Sequence, residues 1–501
     1  MDAAAVPAAR VAVINAAPAN DKGEHVLYWM IAQRRTRWSF GLQHAIAEAA
    51  ARGLPLIVLE ALRVGYPWAS ARLHRFVMDG MADNQRRFAD TPVAYLPWVE
   101  QRPGEGSGLL EALAERAALV VTDEYPTFFL PRMVRAAAAR LAVRVDLVDG
   151  NGVLPLRAAP DPFPTAYAFR RFLQRSLRPH LAALPLAEPL ALAAGLPPAR
   201  VPDAVLARWP ATPLAALDGS DPCWLAGLPI DHAVPPAPLR GGPVAGEAAL
   251  ATFLDERLDG YGAGRNQPDA DASSGLSPYL HFGHVGAHEV VAAVLARESW
   301  EPGRLATTAS GGRAGWWGVG PGAESFLDQI ITWRELGFVF AFHRPDHMSY
   351  DALPGWAIDT LEAHAGDPRP WVYTHEQLEA AETHDPIWNA AQNQLREEGR
   401  IHNYLRMLWG KKVLEWSPHP REAVLTLIAL NDRWALDGRD PNSYSGIFWC
   451  LGRFDRAWGP ERAIYGKIRY MSSDNTARKL RLDGYLRRFG AGQLELGIRR
   501  K

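Results

Sequence analysis

The sequence predicts an α/β domain built on a parallel, Rossmann-like sheet, joined by a long linker to an all-helical domain. Three observations carry this. Short apolar runs alternate with helical patterns as far as about residue 155, the rhythm of strand–helix–strand units. A Pro- and Ala-rich texture then fills 156–245, as in LAALPLAEPLALAAGLPPARVP. Beyond it no stretch alternates apolar with polar, and the pattern is helical to the end. At 501 residues the chain exceeds what one core usually organises.

The elements follow in order. Residues 1–24 lack the continuous apolar run of a signal peptide and read as a flexible extension. HVLYWM (25–30) is a first buried strand, and a helical pattern over 38–52 closes at Gly53. LPLIVLEAL (54–62), PVAYLPW (92–98), ALVVTDEYP (118–126) and VRVDLVDGNGVLP (143–155) supply four more strands. Helical patterns at 69–89, 109–117 and 131–141 separate them. The α/β domain is thus expected over 25–155, the linker over 156–245 and the helical domain over 246–501. Neither G-x-G-x-x-G nor G-x-x-x-x-G-K-[ST] occurs, so the usual phosphate-cradling glycines of dinucleotide and P-loop folds are missing.

Composition narrows the function classes. Hydrophobic residues at 48% and charged residues at 22% describe a globular chain. With 54 basic against 55 acidic residues, a uniformly basic nucleic-acid binder is excluded, but a local basic face is not. Residues 461–501 hold 11 Lys or Arg against 4 Asp or Glu. Two cysteines make neither a disulfide framework nor a cysteine-built metal site, and they suit a reduced, cytoplasmic setting. No run of about 20 apolar residues offers a membrane span. His281, His284 and His288 in HFGHVGAH read as helix-surface or cofactor-side residues, with no third ligand for a metal. Of 18 tryptophans, 12 lie at or beyond Trp300.

Five collinear segments are specific: 241–286, containing DASSGLSPYLHFGHVG; FLDQIITWREL (326–336); THDPIWNAAQNQLREEGRIHNYLRMLWGKKVLEW (383–416); LNDRWALDGRDPNSYSGIFW (430–449); and YGKIRYM (465–471). With HVLYWMIAQRR near the start, they resemble the photolyase/cryptochrome family, and within it the class II cyclobutane pyrimidine dimer photolyases. The resemblance runs from His25 to about Phe489. It implies non-covalent FAD in the helical domain, reduced in its active state. It also implies room in the α/β domain for an antenna chromophore of deazaflavin or folate type. The partner is UV-damaged DNA, bound by a chain expected to be monomeric and cytoplasmic or nucleoid-associated. The activity is light-driven electron transfer to a dimer flipped out of the duplex, and an extruded, poorly stacked lesion suits such chemistry.

The resemblance assigns residues. Tyr261 and the run Ser273, Ser274, Gly275, Leu276 and Ser277 would touch the FAD phosphates; as residues alone, serines before a helix are equally N-caps. Arg406 and Asp437 match the salt-bridged pair beside the flavin, with Asn403 nearby, and Asn431 matches the amide facing flavin N5. Trp409, Trp388 and Trp416 match the electron-transfer tryptophans; unaided, such a stripe reads as core. Met407, Trp449 and Trp333 would pack on the dimer, and Lys467 and Arg469 would lie near DNA. At one place the sequence departs from the family: Gln329 stands where a glutamate contacts the dimer, and an amide cannot shuttle a proton. The departure leaves open a blue-light receptor without repair, and a (6-4) photoproduct photolyase.

Overall fold

A computed structural model describes residues 5–490. The expected strands are all present: β2 (His25–Met30), β3 (Leu56–Leu62), β4 (Ala94–Val99), β5 (Ala117–Asp123) and β6 (Val145–Val148). They form a parallel sheet in the order β6-β5-β2-β3-β4. Residues placed in the flexible extension alter this picture. Val11–Val13 forms β1 and pairs antiparallel with β6, Val11 opposite Val148, so the sheet is mixed. The buried Arg10 guanidinium anchors it by donating to the carbonyls of Asp149 and Val153. Strand residues alternate between two cores, Leu27, Trp29 and Leu59 on one face, Val26, Tyr28 and Val58 on the other.

At the end of β5, Asp123 holds the turn that follows β2. Its carboxylate accepts from the amides of Ile31, Ala32 and Gln33 and from the Tyr28 hydroxyl, at 2.7–2.9 Å. The strand order reverses between β2 and β5, and a crevice opens beyond such a switch point.

The segment 156–245 carries short helical pieces and wraps the α/β domain. Ala193, Trp209 and Leu217 fill its cores, while Phe169 and Leu173 join the core of the helical part. Beyond β6 the described residues contain helices and no further strand. Two helices matter most for the site, Pro386–Glu398 and Asn403–Trp416, and a third, Pro420–Trp434, packs beside them. No helix among the described residues is long and apolar enough to cross a membrane.

Candidate active site

A cavity of about 930 Å³ opens in the helical part. Tyr261, Ser273, Ser274, Gly275, Leu276, Ser277, Asn403, Arg406 and Asp437 all line it. Gly275 sits at φ +70°, a left-handed turn that glycine adopts without strain, just before the short helix Ser277–His281. The Ser273 and Ser277 hydroxyls have no hydrogen-bond partner among the described residues. Arg265 and Arg487 also line the cavity, with no carboxylate within ion-pair distance among those residues. His402, also in the lining, has a buried and unpartnered Nδ1. Free hydroxyls, unpaired guanidiniums and an orphaned ring nitrogen suit an anionic, heteroatom-rich cofactor such as FAD. Sequence reasoning missed Arg265, His402 and Arg487; Arg265 and His402 lie unremarked inside the specific segments 241–286 and 383–416, and Arg487 left only the basic character of the last forty residues as a trace.

Arg406 and Asp437 form the expected ion pair, Nη2 to Oδ1 at 3.3 Å. Asn431 is placed differently from these. It lies on the helix Pro420–Trp434, buried, with its amide donating to Asp432 at 3.1 Å, and it does not line the cavity.

A second cavity, of about 800 Å³, adjoins the first and shares Tyr261, Gln329, Asn403, Arg406 and Asp437 with it. Gln329 therefore stands at the junction. The helix carrying it widens to π-helical turns over Asp328–Trp333, a device frequent at functional sites. Trp333 comes from the same turns and stacks on Trp449 at 4.7 Å between ring centroids, building an aromatic wall. The wall's carboxylates are committed elsewhere. Asp328 pairs with Arg170 through two contacts of 2.7 and 3.0 Å, and Glu324 accepts from the Trp316 and Trp317 amides. Asp440 accepts from the Tyr125 hydroxyl and faces His281; burial is the largest single influence and raises this carboxyl, but the hydrogen bond and charge of His281, the Arg334 charge and the Asn442 amide together outweigh it and bring the pKa down to about 2. Arg469 reaches this cavity, whereas Met407 and Lys467 do not line it; Lys467 pairs with Glu461 at the surface.

The three tryptophans form one row. Trp409 and Trp388 are parallel at 6.4 Å between centroids, and Trp388 meets Trp416 at 5.5 Å. All three are buried. Hydrogen bonds fix their planes, Trp409 Nε1 to Gln392 Oε1 and Trp388 Nε1 to the Trp409 carbonyl.

Other expectations are corrected. His284 and His288 are buried rather than at a helix surface, and burial pushes both imidazoles well below their ordinary pKa. The basic stretch is not one face. Arg487 and Arg488 line the first cavity, Arg462 stacks on Tyr470, and Arg499, Arg500 and Lys501 lie outside the described residues. Among the described residues one cluster has metal-ligand geometry, His44, Glu48 and Asp146, far in sequence from the cavities; Arg144 already binds its Asp146 through two contacts.

Relatives match the chain over most of its length. The chain is 33% identical to the deoxyribodipyrimidine photo-lyase of Methanothermobacter thermautotrophicus over 484 residues, covering 96% of this chain and 98% of the relative. It is 33% identical to that of Oryza sativa, covering 95% and 89%, and 31% identical to that of Arabidopsis thaliana, covering 92% and 88%. Among solved structures, a class III photolyase from Agrobacterium tumefaciens aligns with a TM-score of 0.63 at 19% identity, covering 93% of this chain and 86% of that one. A Synechocystis cryptochrome aligns with a TM-score of 0.65 at 16% identity, covering 97% and 89%. No family model matches the chain. On these identities and this coverage, the chain belongs to the photolyase/cryptochrome family, among its deoxyribodipyrimidine photo-lyases, FAD-binding lyases of DNA repair.

Proposed function

We propose that this chain repairs cyclobutane pyrimidine dimers by the class II route. The observation that carries the reading is the pair of adjoining cavities, one lined by serines and arginines, one walled by stacked indoles, with Gln329, Arg406 and Asp437 between them. Bound in the first cavity, reduced FAD would supply on excitation the electron that splits the dimer. The residues would do the rest. Ser273, Ser277, Arg265 and Arg487 would hold the pyrophosphate. The Arg406 guanidinium would favour negative charge on the neighbouring ring, with Asp437 fixing its position. Trp333 and Trp449 would offer flat apolar surface to the extruded bases, and the Gln329 amide can donate to one base carbonyl and accept from a ring N–H. Arg469, and Lys467 at the surface, would meet DNA phosphates, so affinity should fall with salt. Trp409, Trp388 and Trp416 would relay electrons inward. Asn431 would join the site only by exchanging its Asp432 partner for the cofactor.

A third cavity, of about 150 Å³, supports an antenna in the same reading. It lies at the carboxyl ends of β2 and β3 and is lined by Trp29, Tyr66, Tyr125, Phe128 and Phe129, with Phe282 and Arg439 from the helical part. A planar chromophore of deazaflavin type suits this aromatic crevice at the switch point. We further propose a monomer acting on damaged DNA in the cytoplasm or nucleoid.

The deciding experiment illuminates the FAD-loaded protein with oligonucleotides carrying either a cyclobutane dimer or a (6-4) photoproduct. Light-dependent loss of the cyclobutane dimer alone is expected. Loss of the (6-4) product alone would change the lesion. Loss of neither, with flavin bound and photoreducible, would favour a light receptor, the reading to which Gln329 points.

A further inference from the structure

The aromatic row does not end at Trp416. Its ring meets both Tyr373 and His384 at 5.3 Å between centroids. His384 in turn stacks on Trp371 at 4.5 Å with 22° between the planes. Trp371 is 51% exposed, whereas Trp388, Trp409 and Trp416 are buried. A large apolar ring left in water at the end of a continuous ring contact is a place where an electron can enter.

Energetics favour that direction. Removing an electron from an indole leaves a positive charge. At Trp416 that charge would face the Lys412 ammonium, 5.5 Å from the ring centroid, and would forfeit the attraction between cation and π-face. Glu415, paired with Lys412 at 2.8 Å, offsets only part of this. Trp371 carries no such neighbour among the described residues, and its exposed face lets water solvate the charge. Tyr373 is the competing outlet. Its hydroxyl hydrogen-bonds His384 Nδ1 at 2.6 Å and accepts from the His384 amide at 3.0 Å. Its oxidation would require losing the phenolic proton, to that imidazole where Nδ1 is the acceptor or to water.

We propose that Trp371 is the surface terminus of the electron-transfer row, where a solvent thiol delivers electrons. The inference rests on the light-driven reading above. One electron passes from Trp371 to the oxidised Trp416 across the His384 contact, restoring neutral Trp416. Trp371 then loses its indole N–H proton to water and is left as a neutral radical. A thiol returns one electron and one proton to it and ends as a thiyl radical, two of which pair as a disulfide. His384 is neither oxidised nor reduced.

The test uses full-length, FAD-loaded protein and the variants Trp371→Phe, Tyr373→Phe and Trp409→Phe. Flash spectroscopy follows the formation and lifetime of the light-separated radicals. A nitroso spin trap, located by peptide mass spectrometry, marks where the radical reaches the surface. Trp409→Phe should abolish formation. Trp371→Phe should leave formation intact, shorten the lifetime about tenfold or more, and remove the adduct at position 371. Tyr373→Phe should keep lifetime and adduct. A wild-type lifetime in Trp371→Phe, or a lifetime and adduct that follow Tyr373 instead, would overturn the proposal while leaving the reading intact. If the flavin-loaded wild type forms no separated radicals, the reading itself fails and takes the proposal with it.

Discussion

Gln329 is the residue on which the chemistry of the lesion cavity turns. It is half-buried at the junction of the two large cavities, and neither neighbouring carboxylate is free to take its place, since Asp328 is held by Arg170 and Glu324 by two amides. A neutral hydrogen bond contributes roughly 0.5–1.5 kcal/mol net and one to a charged group about 1.5–3. Gln329→Glu should therefore keep FAD and tighten dimer binding or raise repair yield by up to about tenfold, as titration and illumination of a dimer-containing oligonucleotide would read. Equal repair by both proteins would show that the amide already suffices. His402 adds a pH dependence. Burial pushes this imidazole from 6.5 down to about 4. Between those values the unfolded chain binds a proton that the folded chain refuses, so stability falls as pH drops through 6.5 and levels off below 4. At about 1.36 kcal/mol per unit, the loss is roughly 3 kcal/mol at most. His402→Gln should flatten the change in urea midpoint between pH 7 and 4.5, and an unchanged slope would assign it to other groups.

At the scale of elements, the helix Asn403–Trp416 carries Arg406 toward the cofactor cavity and Trp409 into the tryptophan row, so its seating fixes both. Gly410 sets that seating. A Cβ there would stand 2.5 Å from the buried Cys450 Sγ, on the helix Pro441–Cys450. Gly410→Ala gains up to about 1 kcal/mol of helix propensity but overpacks the contact at roughly 1–3 kcal/mol. The expected net is destabilisation with slower flavin photoreduction, and adding Cys450→Ala should restore both; strict additivity of the two changes in thermal melts would refute the contact. Legibility in the sequence follows the same division. The strands were readable because β2, β3 and β5 are buried on both faces and spell continuous apolar runs. β1 was not, because three residues of AARVAV carry no period and gain their place only from Arg10 and the edge of β6. Arg406, Asp437 and the serine run could be placed through a motif, and the cavity gathers them. The widened turns at Asp328–Trp333 could not, since FLDQIITWREL keeps an ordinary helical pattern and only tertiary partners such as Arg170 show where its residues point. Arg265 and Arg487, more than two hundred residues apart, meet only in the folded cavity.

At the scale of the molecule, the proposed antenna crevice takes its walls from both the sheet domain and the helical part, so its shape depends on how the two hold one another. Arg72, on the helix Ala71–Phe88 of the sheet domain, is the clasp. Its buried guanidinium donates to the carbonyls of Leu395 and Trp434 at 3.1 and 2.8 Å, to that of Arg396, and to Pro235 in the connecting segment at 3.1 Å. Leu395 and Arg396 lie in the last turn of one site helix and Trp434 ends another; the Leu395 carbonyl also accepts from the Gly399 amide, whereas the cation satisfies the Arg396 and Trp434 carbonyls that the helix ends leave unpaired. The guanidinium also sits 5.6 Å from the Trp434 ring centroid. Burial lowers its pKa to about 10, still far above neutrality, so it remains charged at working pH. Arg72→Met keeps much of the apolar stem but strands the Pro235, Arg396 and Trp434 carbonyls without a donor, while that of Leu395 keeps the Gly399 amide. Leaving a buried neutral acceptor without its donor costs roughly 1–3 kcal/mol, and that loss falls on the contact between the domains rather than on either core. Thermal unfolding of the wild type should show flavin release and loss of helical signal together. In Arg72→Met the helical part should loosen first, with flavin release preceding the loss of sheet structure by several degrees. A variant that melts in a single coincident step at the wild-type temperature would show that the apolar contact between the domains is sufficient alone and that Arg72 only fills space within it.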